Sequence, residues 1–469
     1  MNITIGSNNF KLSDAARACG GYLVGADRVV SSVCTDSREA GNFSLFIALH
    51  GERTDGHAYI LKAIEQGCRA VLCEAFPTLP KGADASAVVV PDTSRALCEL
   101  AAAYLSERSC TRVAVTGSVG KTTTKEFLCA VLSQRFNTYK TEANYNSTVG
   151  MSASALGLSE QHTAAVFEMG MSGRGEIETL SRIARPDIAL ITNIGSSHLE
   201  HLKTRENIAL AKLEITAGLR EGGLLIVNGD EPLLDHIEAP TFRVRRVAVQ
   251  GQGDYTVTDI EQHPETWTTT FSLRTPSGDV IAALQIPAIG QHMVYDAAYA
   301  VAVGLELGMR EEEIRVGLSC YQGLRQRLVS LGDITVLEDC YNAAPESMSE
   351  ALHVLVSYAN ARHGRAVAVL GDMRELGDGS RQLHEAIGAQ ALSLGVERLV
   401  TLGELGVSIA EGAMGAGMSD DCVCMFRAID DVTPVARALE HILQPGDVVL
   451  IKASRALAAE RILDALKNG

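Results

Sequence analysis

Short runs of aliphatic and β-branched residues recur along this chain, most of them broken off by Gly, Asn or Asp and followed by a stretch of helical texture. They read RVAVTGS, TAAVFEMG, DIALITNIG, GLLIVNGDE, RAVAVLGDM, RLVTLGEL and DVVLIKASR. A strand that is apolar on both faces must be covered on both. A helix between successive strands supplies that cover while returning the chain to begin a parallel neighbour. The rhythm therefore restricts the chain to an α/β architecture. Ligands in open sheets of this kind sit beyond the C-terminal ends of the strands, so the residues that follow each run are the first candidates for chemistry.

At about 150 residues per domain, 469 residues make roughly three domains. Residues 1–108 carry short strand signals and the turn-rich block TDSREAGNFSLFIALHGERTDGHAYI; 109–321 open with a glycine loop; 322–469 return to the β/α rhythm. Within the middle segment, residues 240–285 alternate in RVRRVAVQG, TTTFSLR and VIAALQI, which predicts an antiparallel addition to its sheet. Lys and Arg number 41 against 57 Asp and Glu, a net charge of −16 that argues against a protein coating nucleic-acid phosphates. Any anionic ligand must be held by local sites. No apolar run reaches bilayer length and the start, MNITIGSNNF, lacks the layout of a secretory signal, so no membrane segment and a cytoplasmic location are expected. The eleven cysteines form no CxxC pair, and as an odd number they are expected to be reduced and mostly buried.

After the strand RVAV comes Thr116-Gly117-Ser118-Val119-Gly120-Lys121-Thr122-Thr123, then a helix. Glycines let backbone N–H groups face a phosphate, the helix start adds its positive end, Lys121 reaches outer phosphates and Thr122 offers a hydroxyl to Mg²⁺. The pattern predicts a nucleoside-triphosphate site. It is shorter than the full phosphate-loop motif, which has Gly where this chain has Val115. Glu168 ends AAVFE and His198 follows DIALITNIG. If their strands neighbour the loop strand, a carboxylate and an imidazole converge on the phosphates as metal ligands or water-holders. His198 and His201 in HLEH lack a third ligand at zinc-like spacing, and His201 reads as a surface residue. Taken alone, Lys212 in ALAKLEI reads as a surface charge, while Asp339 to Pro345 and Gly371-Asp372-Met373 read as strand-end turns.

Taken in order, TDSR with LFIALHGERTDGH, TGSVGKTTTKE, NYNSTVG, FEMGMSGRGEI, TNIGSSHLEHL, AKLEI, DCYNAAPESM, GDMRELG and KASR resemble the ATP-dependent Mur ligases of peptidoglycan synthesis. YNAAPESM and GDMRELG are similar to the branch that adds D-alanyl-D-alanine, and the DNPR motif of the diaminopimelate-adding branch is absent. The resemblance implies a small α/β UDP-binding domain and a central P-loop ATPase-like domain whose mostly parallel sheet carries helices on both faces. It also implies a C-terminal Rossmann-like domain that closes over the nucleotide. The reaction it implies activates the tripeptide carboxylate of UDP-N-acetylmuramoyl-tripeptide as an acyl phosphate, using ATP. The amine of D-alanyl-D-alanine then attacks to give an amide, ADP and phosphate.

By the same resemblance Lys121 is the phosphate lysine, Thr122, Glu168 and His198 hold two Mg²⁺ ions, and Asn144 lies beside the phosphates. Lys212 matches a lysine that relatives carbamylate, which turns a repelled ammonium into an oxygen-donor anion. His292 and Asp296 fall on the nucleotide side, and Arg325 and the ribose-binding Asp339 come from the C-terminal domain. Ser37 and Arg38 match the uridine-diphosphate end, Asn146, Ser147 and Thr148 the sugar-peptide side, Asn342 and Ala344 the dipeptide side. The chain is expected to act as a monomer. It departs from the family where GxHNxxNA appears as Gly290-Gln291-His292-Met293-Val294-Tyr295-Asp296-Ala297, and where Ala344 and Ser147 replace asparagines. Two other readings share the central loop. A folylpolyglutamate synthase would begin directly with its ATPase domain, and a nucleotide switch would not need Glu168, His198, Lys212, Arg325 and Asp339 together.

Overall fold

The computed structural model describes residues 1–7, 9–51, 54–323 and 327–468. Three sheets follow one another along the chain. The first has six strands in the order Asn2–Thr4, Ser32–Cys34, Ser44–Ile47, Ala70–Cys73, Ser86–Val89 and Tyr22–Val24, parallel through the inner four and antiparallel at both edges. The third also has six, ordered Arg327–Leu331, Ile334–Asp339, Val448–Lys452, Ala366–Gly371, Arg398–Leu402 and Val423–Phe426, with only the first pair antiparallel.

The second sheet positions the candidate site. Its nine strands run Thr138–Lys140, Ala164–Glu168, Thr111–Thr116, Ile188–Ile191, Leu224–Asn228, Arg243–Ala248, Tyr255–His263, Thr268–Arg274 and Val280–Ile286. The loop strand Thr111–Thr116 is thus flanked by Ala164–Glu168 and Ile188–Ile191, both parallel to it. Register pairs Glu168 with Val115 and Ile191 with Thr116, so the three C-terminal ends emerge level. The expected antiparallel addition is present but shorter than its alternating sequence. Arg243–Ala248 pairs parallel with Leu224–Asn228, and the antiparallel part begins where Tyr255–His263 meets Thr268–Arg274.

Helices cover both faces of this sheet. On one side Lys121–Leu132, Gln291–Glu306 and Glu311–Ser319 bury Phe127, Leu128, Val294, Ala298 and Ile314 against it. On the other, Thr148–Ala155, Glu176–Ala184 and Arg205–Leu213 bury Met151, Ile177 and Ile208 in a core that continues into the first sheet through Leu97, Leu45 and Ile3. The first two sheets therefore share one core. The third has its own cores, with Leu352, Leu355 and Ile387 on one face and Val435, Leu439 and Ile462 on the other. The cysteines are free, and among the described residues no helix is long and apolar enough to cross a membrane.

Arg112 ties the shared core at the root of the loop strand. It is only 2% exposed, and its guanidinium donates to the carbonyls of Ala184 at 2.9 Å, Arg108 at 2.8 Å and Leu105. Its backbone N–H donates to Asp187 at 2.8 Å. Arg112→Met would keep the apolar stem but strip donors from three carbonyls, at a cost of about 3 kcal/mol. We expect its thermal unfolding midpoint to fall by several degrees, read by differential scanning fluorimetry.

Candidate active site

The loop after Thr116 wraps tightly because two of its positions exclude a side chain. Gly117 has φ +153°, and a Cβ there would fall 1.8 Å from Thr192 Oγ1. Gly120 has φ +85°, and a Cβ would meet Asp296 Oδ1 at 2.7 Å. The loop leads into the helix Lys121–Leu132, whose first turn carries the functional side chains. Lys121 Nζ folds back to donate to the carbonyls of Gly117 at 2.7 Å and Ser118 at 3.2 Å. From the neighbouring strand end, Asn193 Oδ1 accepts the N–H groups of Ser118 and Val119 at 3.1 and 2.9 Å, while Thr192 Oγ1 donates to Val119 O at 2.6 Å.

Glu168 is the electrostatic centre. Its side chain is 1% exposed, and a carboxylate so deeply buried must be compensated. Thr122 Oγ1 and Asn146 Nδ2 donate to its Oε1 at 2.9 and 2.8 Å. Lys125 Nζ lies 3.2 Å from its Oε2 and also donates to Ala143 O at 2.9 Å. Lys125 is itself 1% exposed, and the sequence reading passed over it. The signal was its position three after Thr122 in GKTTTKE, which puts both on one helix face.

Lys212 is buried on the helix Arg205–Leu213. Burial, reinforced by the nearby Lys121 charge, holds its amine well below the usual lysine range. The sequence alone suggested a surface charge, but the fold turns this residue inward. His198 follows Ile188–Ile191 in a left-handed conformation, φ +69°, and its Nδ1 lies 2.6 Å from Glu375 Oε2 of the third sheet's domain. That imidazole lowers the Glu375 carboxyl below its ordinary range despite partial burial.

A cavity of about 540 Å³ opens between the second and third sheets. The phosphate loop from Ser118 to Thr123, Asn146, Glu168, His292, Met293 and Asp296 form one wall, and Asp339, Asn342, Ala344, Glu346 and Lys452 the other. Asp339 Oδ2 accepts from Lys452 Nζ at 2.6 Å, and the same amine donates to Asn342 O at 3.1 Å. Asp296 accepts from Thr124 Oγ1 at 2.7 Å, which seats it beneath the loop helix. His292 Nδ1 lies 3.4 Å from Glu350 Oε2 on the opposite wall.

Not every residue singled out in the sequence gathers here. Asn144 is exposed and does not line the cavity, whereas Asn146 does. Ser147 caps the helix Thr148–Ala155 by accepting from Gly150 N–H at 3.1 Å. Ser37 and Arg38 lie in the first sheet's domain, where Arg38 pairs with Asp36 at 2.6 Å. Arg325 lies outside the described residues. Away from the cleft His50, His57 and Glu74 cluster at metal-like spacing, but His57 uses Nδ1 on Asp55 at 2.7 Å and Nε2 on Glu74 N–H at 3.0 Å. Both ring nitrogens are already engaged.

The oxygen donors fit a hard divalent cation: the Thr122 hydroxyl and the Glu168 carboxylate meet 2.9 Å apart on the cavity wall. A charged Lys212 would not fit such a site. Burial favours its neutral amine over the ammonium.

Comparison with known proteins places this geometry. Residues 115–304 match the Mur ligase middle domain, 325–455 the Mur ligase glutamate ligase domain, and 29–105 the Mur ligase family catalytic domain. The chain is 39% identical over 442 residues to the UDP-N-acetylmuramoyl-tripeptide--D-alanyl-D-alanine ligase of Bacillus subtilis, covering 93% of each chain. Its fold matches MurF from Acinetobacter baumannii at a TM-score of 0.88 and 31% identity, over 99% of this chain and 100% of that one. It also matches MurF ligase from Thermotoga maritima, solved in complex with ADP, at a TM-score of 0.80 and 27% identity over 93% and 97%.

Lys125 supplies the cation nearest Glu168 Oε2, so Lys125→Met should leave a buried carboxylate short of compensation. The expected loss is about 3 kcal/mol, read as a lower urea midpoint, with Lys125→Arg retaining part of the stability.

Proposed function

The chain belongs to the Mur ligase family, and on that premise we propose that it joins D-alanyl-D-alanine to UDP-N-acetylmuramoyl-tripeptide at the expense of ATP, in the cytoplasm and as a single chain. The observation that carries the reading is the cleft. A phosphate loop and a compensated buried carboxylate on one wall face Asp339, Lys452 and the Asn342 turn on the other. We take 1–108 as the UDP-sugar domain, 109–321 as the ATP domain and 322–469 as the acceptor-side domain.

Condensing a carboxylate with an amine in water needs an activated acyl group, and the barrier to making one from ATP is charge accumulating on oxygen. Backbone N–H groups from Gly120 to Thr123, together with the helix start, receive the phosphates. Lys121 leaves the Gly117 and Ser118 carbonyls to follow the transferred charge. Thr122, Glu168, His198 and a carbamylated Lys212 would hold two Mg²⁺ ions, which when bound would neutralise phosphate charge. Asp339, steadied by Lys452, offers its other carboxylate oxygen to the ribose, and Arg325 approaches from the same domain. His292 and Asp296 serve the nucleotide, Asn146, Ser147 and Thr148 the sugar-peptide, Ser37 and Arg38 the uridine diphosphate. Asn342 and the turn around Ala344 receive the dipeptide, whose amine attacks the acyl phosphate with the cleft shut to water.

The direct test follows phosphate release from ATP and Mg²⁺ with UDP-N-acetylmuramoyl-tripeptide present throughout and D-alanyl-D-alanine added or withheld. Release should require the dipeptide and yield the pentapeptide product by mass, and Lys121→Ala should slow it at least about 100-fold. Dipeptide-independent release would refute the ligase reading.

The proposed carbamate has its own readout. A neutral amine is the nucleophile toward CO₂, and burial shifts Lys212 toward that form. Protein equilibrated with ¹³C-bicarbonate should show a carbamate carbon resonance that Lys212→Ala lacks. Because the amine's affinity for protons is lowered, the signal should persist at neutral pH and disappear as acid reprotonates the amine.

A further inference from the structure

The segment from Thr192 to Glu200 has two faces, each occupied by a different domain. Toward the phosphate loop, Thr192 and Asn193 hold Val119 and Ser118 as described, and Gly195 N–H donates to Ser118 Oγ at 2.8 Å. Toward the C-terminal domain, Ser196 gives both its N–H and its Oγ–H to Glu346 Oε1, each at 2.7 Å. Glu346 sits so closely on Gly195 that a Cβ there would lie 2.8 Å from its carboxylate carbon. Two residues on, His198 Nδ1 meets Glu375 Oε2 at 2.6 Å, and Glu375 O accepts from Glu200 N–H at 3.1 Å. His198 and Glu375 both adopt left-handed backbones, φ +69° and +63°, a conformation that non-glycine residues keep only where surrounding contacts enforce it. Glu346 lies in the first turn of the helix Pro345–Ala361, and Glu375 on the turn after the strand Ala366–Gly371, so the C-terminal domain carries both.

We propose that Glu375 and Glu346 are positioning residues for the ligation: docking of the C-terminal domain through these two carboxylates fixes the His198 imidazole and the segment that backs the phosphate loop. With Nδ1 against Glu375, Nε2 is the ring nitrogen that would be left for a divalent cation. A carboxylate behind a ligating imidazole sets its orientation and strengthens it as a donor. The cation site is then fully formed only in the docked arrangement, and Glu346 keeps the intervening Ser196 from drifting. This rests on the ligase reading, and it adds that the C-terminal domain completes the cation site as well as the acceptor side.

The chain's single tryptophan gives an independent report of docking. Trp267, on the hairpin between Tyr255–His263 and Thr268–Arg274, packs edge-on against Tyr358 of the C-terminal domain, with ring centroids 5.1 Å apart. Full-length wild type, Glu375→Gln and Glu346→Ala would be compared by Mn²⁺ titration with a non-hydrolysable ATP analogue, followed by electron paramagnetic resonance, alongside Trp267 emission and thermal midpoint. Glu375→Gln should weaken Mn²⁺ binding roughly tenfold or more and raise the Mg²⁺ needed for half-maximal turnover. Its midpoint should stay unchanged, and Glu375→Asp should recover part of the affinity. Glu346→Ala should shift Trp267 emission to the red and weaken Mn²⁺ binding in parallel. Wild-type Mn²⁺ affinity in both variants would overturn the proposal while leaving a dipeptide-dependent wild type a ligase. A wild type without dipeptide dependence, but with Mn²⁺ binding that follows Glu375, would sink the ligase reading and keep the positioning role.

Discussion

A carboxylate buried at the end of a central strand, beside the place prepared for a polyphosphate, is the constraint around which the rest is arranged. Glu168 is tolerable there because Thr122, Asn146 and Lys125 share its two oxygens. Thr122 and Lys125 lie on the first turns of the helix that begins at Lys121, so satisfying Glu168 also fixes where that helix starts. The strand register that sets Glu168 opposite Val115 brings the carboxylate to the mouth of the glycine loop. A slip of one residue in that register would turn Glu168 to the other face of the sheet and leave Lys125 buried without its ion pair. Electrostatics and packing thus specify the same geometry.

What could be read from the sequence was what is local. The glycine loop, its lysine and its threonine are set by neighbours within a few residues, and the strand-then-helix rhythm follows from burial on two faces. The convergence of Glu168 and His198 was conditional on strand order, which the sheet supplies by flanking the loop strand on both sides. The alternation in Arg243–Ala248, the sixth of nine strands, carries no information about strand direction, which is why a parallel strand read as part of an antiparallel addition. Lys212 misled for a related reason. A lysine's usual exposure is a statistical expectation, whereas its burial here depends on which face of its helix meets the core. Asn146 rather than Asn144 reaches Glu168 because the loop between Lys140 and Thr148 turns back on itself, with Asn146 N–H donating to Asn144 O at 2.7 Å.

The departures from the family pattern become intelligible in place. Asp296 is 4% exposed and takes the Thr124 hydroxyl, so it joins the helix Gln291–Glu306 to the loop helix, using only the acceptor capacity that an aspartate and an asparagine share. Ala344 precedes Pro345, the first residue of its helix, and its N–H is met by Ser347 Oγ at 3.1 Å. Neither change disturbs the contacts of Glu168.

A site divided between two domains has a chemical reason. An acyl phosphate is as open to water as to an amine, so the group that activates the carboxylate should work only once the acceptor wall is in place. In this chain the two conditions share atoms. The segment that buttresses Ser118 and Val119 is the one that Glu346 and Glu375 grip from the opposite domain. The C-terminal domain and the phosphate loop are therefore joined through fewer than ten residues of backbone, Thr192 to Glu200. Small residues at Gly117 and Gly195 make that junction possible. Each lets a neighbouring side chain approach the backbone more closely than any other residue would allow, Thr192 in the first case and Glu346 in the second.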